Sequence, residues 1–181
     1  MSRMPLVTPD AAQGEAAKLL ERTQQQLGRI PNLYAAMANA PAALAGYLDF
    51  RAALVRGTLS TRLREQLALV VAEANGCEYC VSAHSFRGSK LGLSEPELVA
   101  TRNAQSADPA TAAALRFAVE VVATHGRVSD AALAAVRAAS HDDKAIGEIV
   151  AHVALNTFSN YFNHVATPEL DFPRVAVGHE E

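Results

Sequence analysis

An all-α fold, a single-domain helical bundle, is predicted by three features of this 181-residue sequence. Alanine and leucine dominate its texture, β-branched alternating runs are few, and helix punctuation recurs from end to end. Segment 11–28 reads as a first helix that stops near Gly28, with Pro31 restarting the chain. Pro41 fits the first turn of a helix that runs to about Arg56 and stops at Gly57. Ser60 or Thr61 then caps a helix through Ala74, Asn75-Gly76 breaks it, and a new helix begins at or just before Cys77 and ends near Gly92. Ser94-Glu-Pro-Glu97 is a capping box, with Ser at the cap, Glu three residues on and Pro in the first turn. Asp108-Pro109 opens a helix that reaches His125 and stops at Gly126. Ser129 opens a short Ala-rich helix, and Ser140-His-Asp-Asp143 opens a long last one. The apolar positions Ile146, Ile149, Val150, Val153, Tyr161 and Phe162 of that last helix largely follow helical spacing. The tail, Thr167-Pro-Glu-Leu-Asp-Phe-Pro173, carries two prolines and is expected to be extended.

The length suits one domain over 1–181, with N-terminal helices in 11–57, a core at about 60–95, and C-terminal helices in 108–166 before the tail. Half of the residues are hydrophobic, enough for a sizeable core. A net charge of −3 without a basic block, and the absence of tryptophan, argue against nucleic acid as a partner. The N-terminus lacks the apolar run of a secretory signal, and the longest apolar runs, such as Leu67 to Ala72, fall far short of a bilayer span. A cytoplasmic protein is therefore expected. In that compartment thiols are kept reduced, so a cysteine pair points to catalysis or metal binding before a structural disulfide.

Only two cysteines occur, in Cys77-Glu-Tyr-Cys80-Val-Ser-Ala-His84. On a helix, Cys77, Cys80 and His84 fall within an arc of about 60°. One helical face thus carries two sulfurs and an imidazole. At a helix N-terminus the backbone N–H groups and the dipole favour thiolate over thiol, most strongly at Cys77. His84, one turn beyond Cys80, is placed to take a proton from it or to protonate a leaving group. A thiolate that attacks a peroxide becomes a sulfenic acid, and a neighbouring cysteine then closes a disulfide. Glu65, in line with Thr61, Ala68, Leu69 and Ala72 on the preceding helix, is a candidate base that can face the thiols. Arg62, Gln66 and Glu73 form a better solvated stripe to one side.

Other readings stand beside this one. Free cysteines are commonly just buried. A zinc site would use Cys77, Cys80 and His84 with a distant fourth ligand such as His125, His152 or His164. A c-type haem is excluded because Val81 follows Cys80. A lone glutamate on a helix is usually a solvated charge, and Arg62, Arg64 and Glu65 also fit a capped first turn. Asn156, Asn160 and Asn163, with Ser159 and His164, either line a polar pocket or bond within the bundle; the second reading is favoured. His125, His141, His152 and His179 show no partner pattern.

A glutamate, eleven intervening residues, Cys-x-x-Cys and a histidine four positions later resembles the core motif of the alkylhydroperoxidase D-like proteins of the carboxymuconolactone decarboxylase superfamily. Glu65, Cys77, Cys80 and His84 match it position by position. The match covers residues 60 to about 95, and the flanks 1–57 and 105–181 are similar, more loosely, to longer peroxidase-related members. The resemblance implies an all-helical trimer or hexamer without a cofactor or bound metal. It also implies a peroxidase that reduces hydrogen peroxide or organic hydroperoxides and is recycled by a dithiol donor or redox partner protein. Carried over, Cys80 attacks the peroxide, Cys77 resolves it, and Glu65 with His84 relays protons. The dipole argument alone would make Cys77 the more acidic thiol; the resemblance takes precedence because proton relay also decides reactivity. Some members carry a histidine where this chain has Tyr79, which either weakens the relay or simply packs. The alternatives are a thiol–disulfide oxidoreductase acting on protein partners and a non-redox zinc-binding module.

Overall fold

A computed structural model describes residues 2–178; His179 lies outside the described residues. Among these the chain forms nine helices and no strand: α1 Gly14–Leu27, α2 Asn32–Met37, α3 Pro41–Val55, α4 Thr61–Ala74, α5 Glu78–Lys90, α6 Glu95–Arg102, α7 Pro109–Thr124, α8 Asp130–Ala138 and α9 Asp143–Ala166. The expected all-α class is what the structure has.

Local chemistry sets the boundaries. Ser60 Oγ accepts the Leu63 N–H at 3.1 Å, Asp108 that of Thr111 at 2.8 Å, and Asp142 that of Ala145 at 2.8 Å. Each satisfies a donor that the first helical turn leaves without a partner. Glu97 reaches back to the Ser94 N–H at 2.9 Å, closing the capping box. Differences from expectation are small. The first helix starts at Gly14 rather than 11, α2 was not foreseen, and His125 is the left-handed cap of α7 at φ 55° rather than its last residue.

Helix α4 is the centre, packed against α5, α7 and α9. It is apolar on two sides and so divides two cores. Leu67, Val70 and Val71 meet Leu115 and Ala118 of α7 and Ile149 and Val153 of α9. Leu69 and Ala72 join the core that holds Leu20, Met37, Leu44, Cys77 and Cys80. Truncating a buried leucine such as Leu67 or Leu69 to alanine would cost about 2–5 kcal/mol, which is why α4 keeps its register.

Two sequence readings are corrected by what covers them. Gln66 and Glu73, read as a solvated stripe, lie beneath α6: Gln66 donates to Thr101 Oγ1 at 3.2 Å and Arg102 to Glu73 at 2.7 Å. On α9, Val150 and Tyr161 share the apolar spacing but are exposed. With Ala154, Phe158 and Val165 they form an outer apolar stripe. Helical periodicity sees that a residue is apolar, not which of two faces it occupies.

The tail after α9 has no regular structure and lies as a strap along α5. Val175 N–H donates to Ser82 Oγ at 2.9 Å, Arg174 pairs with Glu78 at 3.0 Å, and Phe172 packs edge-on against Tyr79. Arg102 then holds the carbonyls of Ala176 and Gly178 at 2.7 and 2.9 Å. Gly88 explains how closely α5 is covered on its other flank, since a Cβ there would stand 2.8 Å from Leu98 Cδ2.

Candidate active site

The turn between α4 and α5 brings the two thiols to a helix start. Gly76 takes φ 66°, a conformation costly for any residue with a Cβ, and Cys77 N–H then bonds back to the Ala72 carbonyl at 2.9 Å. Cys77 is the N-cap of α5, not its first helical residue, and its Sγ accepts the Cys80 N–H at 3.4 Å. A sulfur here takes the part usually given to a serine or aspartate oxygen.

Both cysteines are free thiols and buried, at 2% and 3% exposure. Their environments differ. The Cys80 thiol and backbone N–H, with Asn163, stabilise negative charge on Cys77 and outweigh its burial, so the Cys77 thiol is lowered from its ordinary range. Burial, then the bond to Cys77 and its charge, push the Cys80 thiol well above the usual value, against the amides of Asn160 and Asn163. In the resting pair the first negative charge therefore belongs on Cys77, as the dipole argument anticipated. Asn163 Nδ2 stands 3.1 Å from Cys80 Sγ.

Glu65 and His84 meet, with Oε1 2.6 Å from Nδ1 and side chains 17% and 12% exposed. Burial opposes ionisation of Glu65, but the charge and hydrogen bond of His84, with Arg87 and Arg51, hold its carboxyl below the ordinary value. A carboxylate on Nδ1 keeps the proton on that nitrogen and leaves Nε2 of a neutral ring as an acceptor. His84 and Cys80 line one narrow recess of about 20 Å³, together with Tyr34, Tyr47, Tyr79 and Arg87. The structure therefore joins all four motif residues: Glu65 to His84 by a hydrogen bond, His84 to Cys80 across the recess, and Cys80 to Cys77 at the helix cap. Among the described residues no group of three or more His, Cys, Asp and Glu is arranged to hold a metal ion.

Several neighbours escaped the sequence reading. Asn163 bonds a thiol and Asn160 bonds Asn75 Nδ2 at 2.9 Å, while Asn156 Nδ2 turns to the His152 carbonyl of its own helix at 2.7 Å. The favoured reading of intra-bundle bonding thus holds for Asn160 and Asn163, while Asn156 bonds within its helix and also lines a polar cavity. Tyr79 is more than packing: its hydroxyl donates to Asp171 Oδ1 at 2.6 Å and accepts the Leu33 N–H at 3.2 Å. Asp171 is held in turn by Arg29. A second cavity of about 360 Å³ opens beside Glu65 and His84, with Arg51, Arg64, Arg87 and His152 in its walls. Spacing gave no signal for these arginines, which come from α3, α4 and α5. The other histidines serve locally, His141 Nε2 contacting the Ala110 carbonyl at 2.9 Å and His164 Nε2 that of Asn75 at 3.0 Å.

Comparison with known proteins places this geometry. Residues 41–124, which span α3 to α7 and include all four motif residues, match the model of the carboxymuconolactone decarboxylase family. No curated protein sequence matches the chain. Among solved structures, the chain is similar to an uncharacterized peroxidase-related protein with an alkylhydroperoxidase AhpD core from Ralstonia eutropha, at 24% identity and a TM-score of 0.82 over 94% of this chain and 92% of that one. A peroxidase-related protein from Silicibacter is similar at 22% identity and a TM-score of 0.79, over 92% and 89% of the two chains. So is the debrominase Bmp8, a cysteine-to-alanine variant of which was solved with a tribromopyrrole, at 22% identity and a TM-score of 0.77 over 94% of each chain. At these identities the likeness establishes the fold, and the family match identifies the part of the chain that carries the motif. Residues 41–124 are thus similar to the carboxymuconolactone decarboxylase family, and the chain has the all-helical fold of alkylhydroperoxidase-like, peroxidase-related structures.

Proposed function

We propose that this protein is a two-cysteine peroxidase in which Glu65 and His84 serve Cys80. The observation that carries the reading is the 2.6 Å Glu65–His84 contact, made by an imidazole that lines the same recess as Cys80. Cys80 faces that recess and Cys77 does not. Because Cys80 is the less acidic thiol of the pair, it needs a base before it can attack, and His84 Nε2 supplies one.

Cys80 gives its proton to His84 and its sulfur attacks the outer oxygen of a hydroperoxide. The O–O bond breaks, the departing alkoxide takes the proton back from His84 and leaves as an alcohol, and Cys80 becomes a sulfenic acid. Cys77, as thiolate, attacks that sulfur, expels the hydroxyl as water on protonation, and closes the disulfide. A dithiol donor reduces the disulfide by exchange and leaves as its own disulfide.

The burial of both sulfurs favours this reading over exchange with protein partners, since a recess of about 20 Å³ has room for a peroxide oxygen and not for a protein disulfide. The zinc reading has less support, because among the described residues no group of three or more His, Cys, Asp and Glu is arranged to hold a metal ion. We also propose a homo-oligomer, a trimer or hexamer as the family resemblance implies. The exposed stripe of Val150, Phe158, Tyr161 and Val165 on α9 supports an interface there. No helix among the described residues is long and apolar enough to cross a membrane.

Mass spectrometry of the reduced protein after stoichiometric cumene hydroperoxide tests the chemistry. The wild type should lose two hydrogens, Cys77→Ser should trap a sulfenic acid on Cys80, and Cys80→Ser should stay unoxidised. Oxidation of Cys80→Ser at the wild-type rate would reverse the cysteine order, and no oxidation in any form would end the peroxidase reading.

A further inference from the structure

The cavity beside His84 has a charge that the rest of the chain does not. The sequence as a whole carries a net −3, yet three guanidinium groups, Arg51, Arg64 and Arg87, line this one space of about 360 Å³. Glu65 is the single carboxylate in its walls, and His84 already engages it. Arg64 is partly occupied, by Thr61 Oγ1 at 2.9 Å and the Leu54 carbonyl at 3.3 Å. Among the described residues Arg51 and Arg87 make no direct ion pair, although both act on the Glu65 carboxylate from a distance, and Arg87 lies 5.7 Å over the Phe172 ring. His152 also lines the cavity, buried, with an Nε2 that makes no hydrogen bond. Burial and the charge of Arg64 lower its imidazole to about 4, so it is neutral near pH 7 and adds a polar contact without a charge.

Val55, Ala68 and Leu155 give the cavity an apolar wall, and Thr61 and Asn156 add neutral polar groups to it. Tyr47, His84 and Arg87 line both this cavity and the recess at Cys80. The two spaces thus meet at Tyr47, His84 and Arg87, while of the pair only the larger is lined by Arg51 and Arg64 and only the smaller by Cys80.

We infer that the arginine-lined cavity binds a carboxylate, and that the substrate of the thiol pair is a small organic hydroperoxide carrying one. The inference rests on the peroxidase reading and adds its substrate class. The peroxide group enters the recess at Cys80, the carbon skeleton lies on the apolar wall, and the carboxylate meets Arg51 and Arg87. Charge-assisted bonds from arginine suit a planar carboxylate, and a cationic vestibule raises the rate of anion capture. The carboxylate takes no part in the electron balance, which remains that of O–O cleavage to an alcohol. The cavity lies at the small end of ligand pockets, which suits a compact molecule better than a peptide.

The test uses cumene hydroperoxide para-carboxylate and its methyl ester on the reduced full chain, reading the rate constant of disulfide formation in a single turnover. The acid should react roughly tenfold to a hundredfold faster than the ester at low salt, with the ratio shrinking as salt rises. Arg51→Gln, a change at a side chain without a direct ion pair, should bring the ratio towards one. Equal rates for acid and ester in the wild type would overturn the inference while leaving the peroxidase reading in place. Failure of both peroxides to oxidise the protein would instead remove the peroxidase reading. The carboxylate site is then judged by calorimetry with the product, cumyl alcohol para-carboxylate. Saturable binding that is lost in Arg51→Gln supports the site, and absence of binding in the wild type overturns it.

Discussion

Glu65 and Glu73 stand on the same helix, both paired with a basic side chain and both largely withdrawn from water, at 17% and 14% side-chain exposure. Their partners and surroundings differ. Glu73 meets Arg102, which is always charged, and the pair also binds the strap: Glu73 accepts the Gly178 N–H at 2.7 Å while Arg102 holds two carbonyls of the tail. No cavity touches Glu73 or Arg102 among those that open near the site. Glu65 meets His84, an imidazole that can pass a proton from one ring nitrogen to a neighbour, and that pair lies between an arginine-lined cavity and a thiol. A buried carboxylate pair is therefore no sign of chemistry in itself. What separates the two is a partner able to release its proton and a space for something to receive it.

The largest expected effect breaks the structural pair. Glu73→Gln leaves Arg102 buried without a counter-charge and should destabilise the fold by about 3 kcal/mol or somewhat more, read as a lower midpoint in urea unfolding. Its rate of oxidation by peroxide, measured where it is fully folded, should stay near that of the wild type. Next comes pH. His152 is held to about 4 in the folded chain against 6.5 in the unfolded one, so the unfolded state binds more protons between those values. Stability should rise with pH across that window and fall by up to roughly 3 kcal/mol as pH drops through it. His152→Gln should flatten this part of the stability–pH curve, and an unchanged slope would mean that His152 is not the group responsible. Tyr79→Phe should cost about 1–2 kcal/mol, because it strips a partner from both the Leu33 N–H and Asp171; differential scanning calorimetry reads the drop in Tm. The smallest effect is expected from Ser60→Ala, about 1 kcal/mol for the lost cap of α4, again by calorimetry.

The parts of this comparison differ in how far the sequence disclosed them. Helix limits at Ser60, Ser94, Asp108 and Gly126 were legible because caps and glycines act within one turn. Glu65, Cys77, Cys80 and His84 were legible as a set because one short hairpin of helices carries them all. Asn163 was not, since it meets Cys80 across 83 residues of chain, and an asparagine on a long helix has the same local pattern whatever it faces. Arg51 and Arg87 were hidden likewise, being single charges on three different helices with Arg64. Glu73 and Gln66 were misread because helix periodicity defines a polar stripe but cannot show that α6 and the strap will cover it. Distant packing, rather than local preference, decided each of these.

The central claim is that Glu65 drives Cys80 through His84. The measurement that reaches it most directly is the single-turnover rate of oxidation by hydroperoxide in Glu65→Gln beside Glu73→Gln, both confirmed folded. Glu65→Gln should be slower by about a hundredfold or more, and Glu73→Gln should not be. Wild-type speed in Glu65→Gln, or the same loss in both variants, would contradict the account.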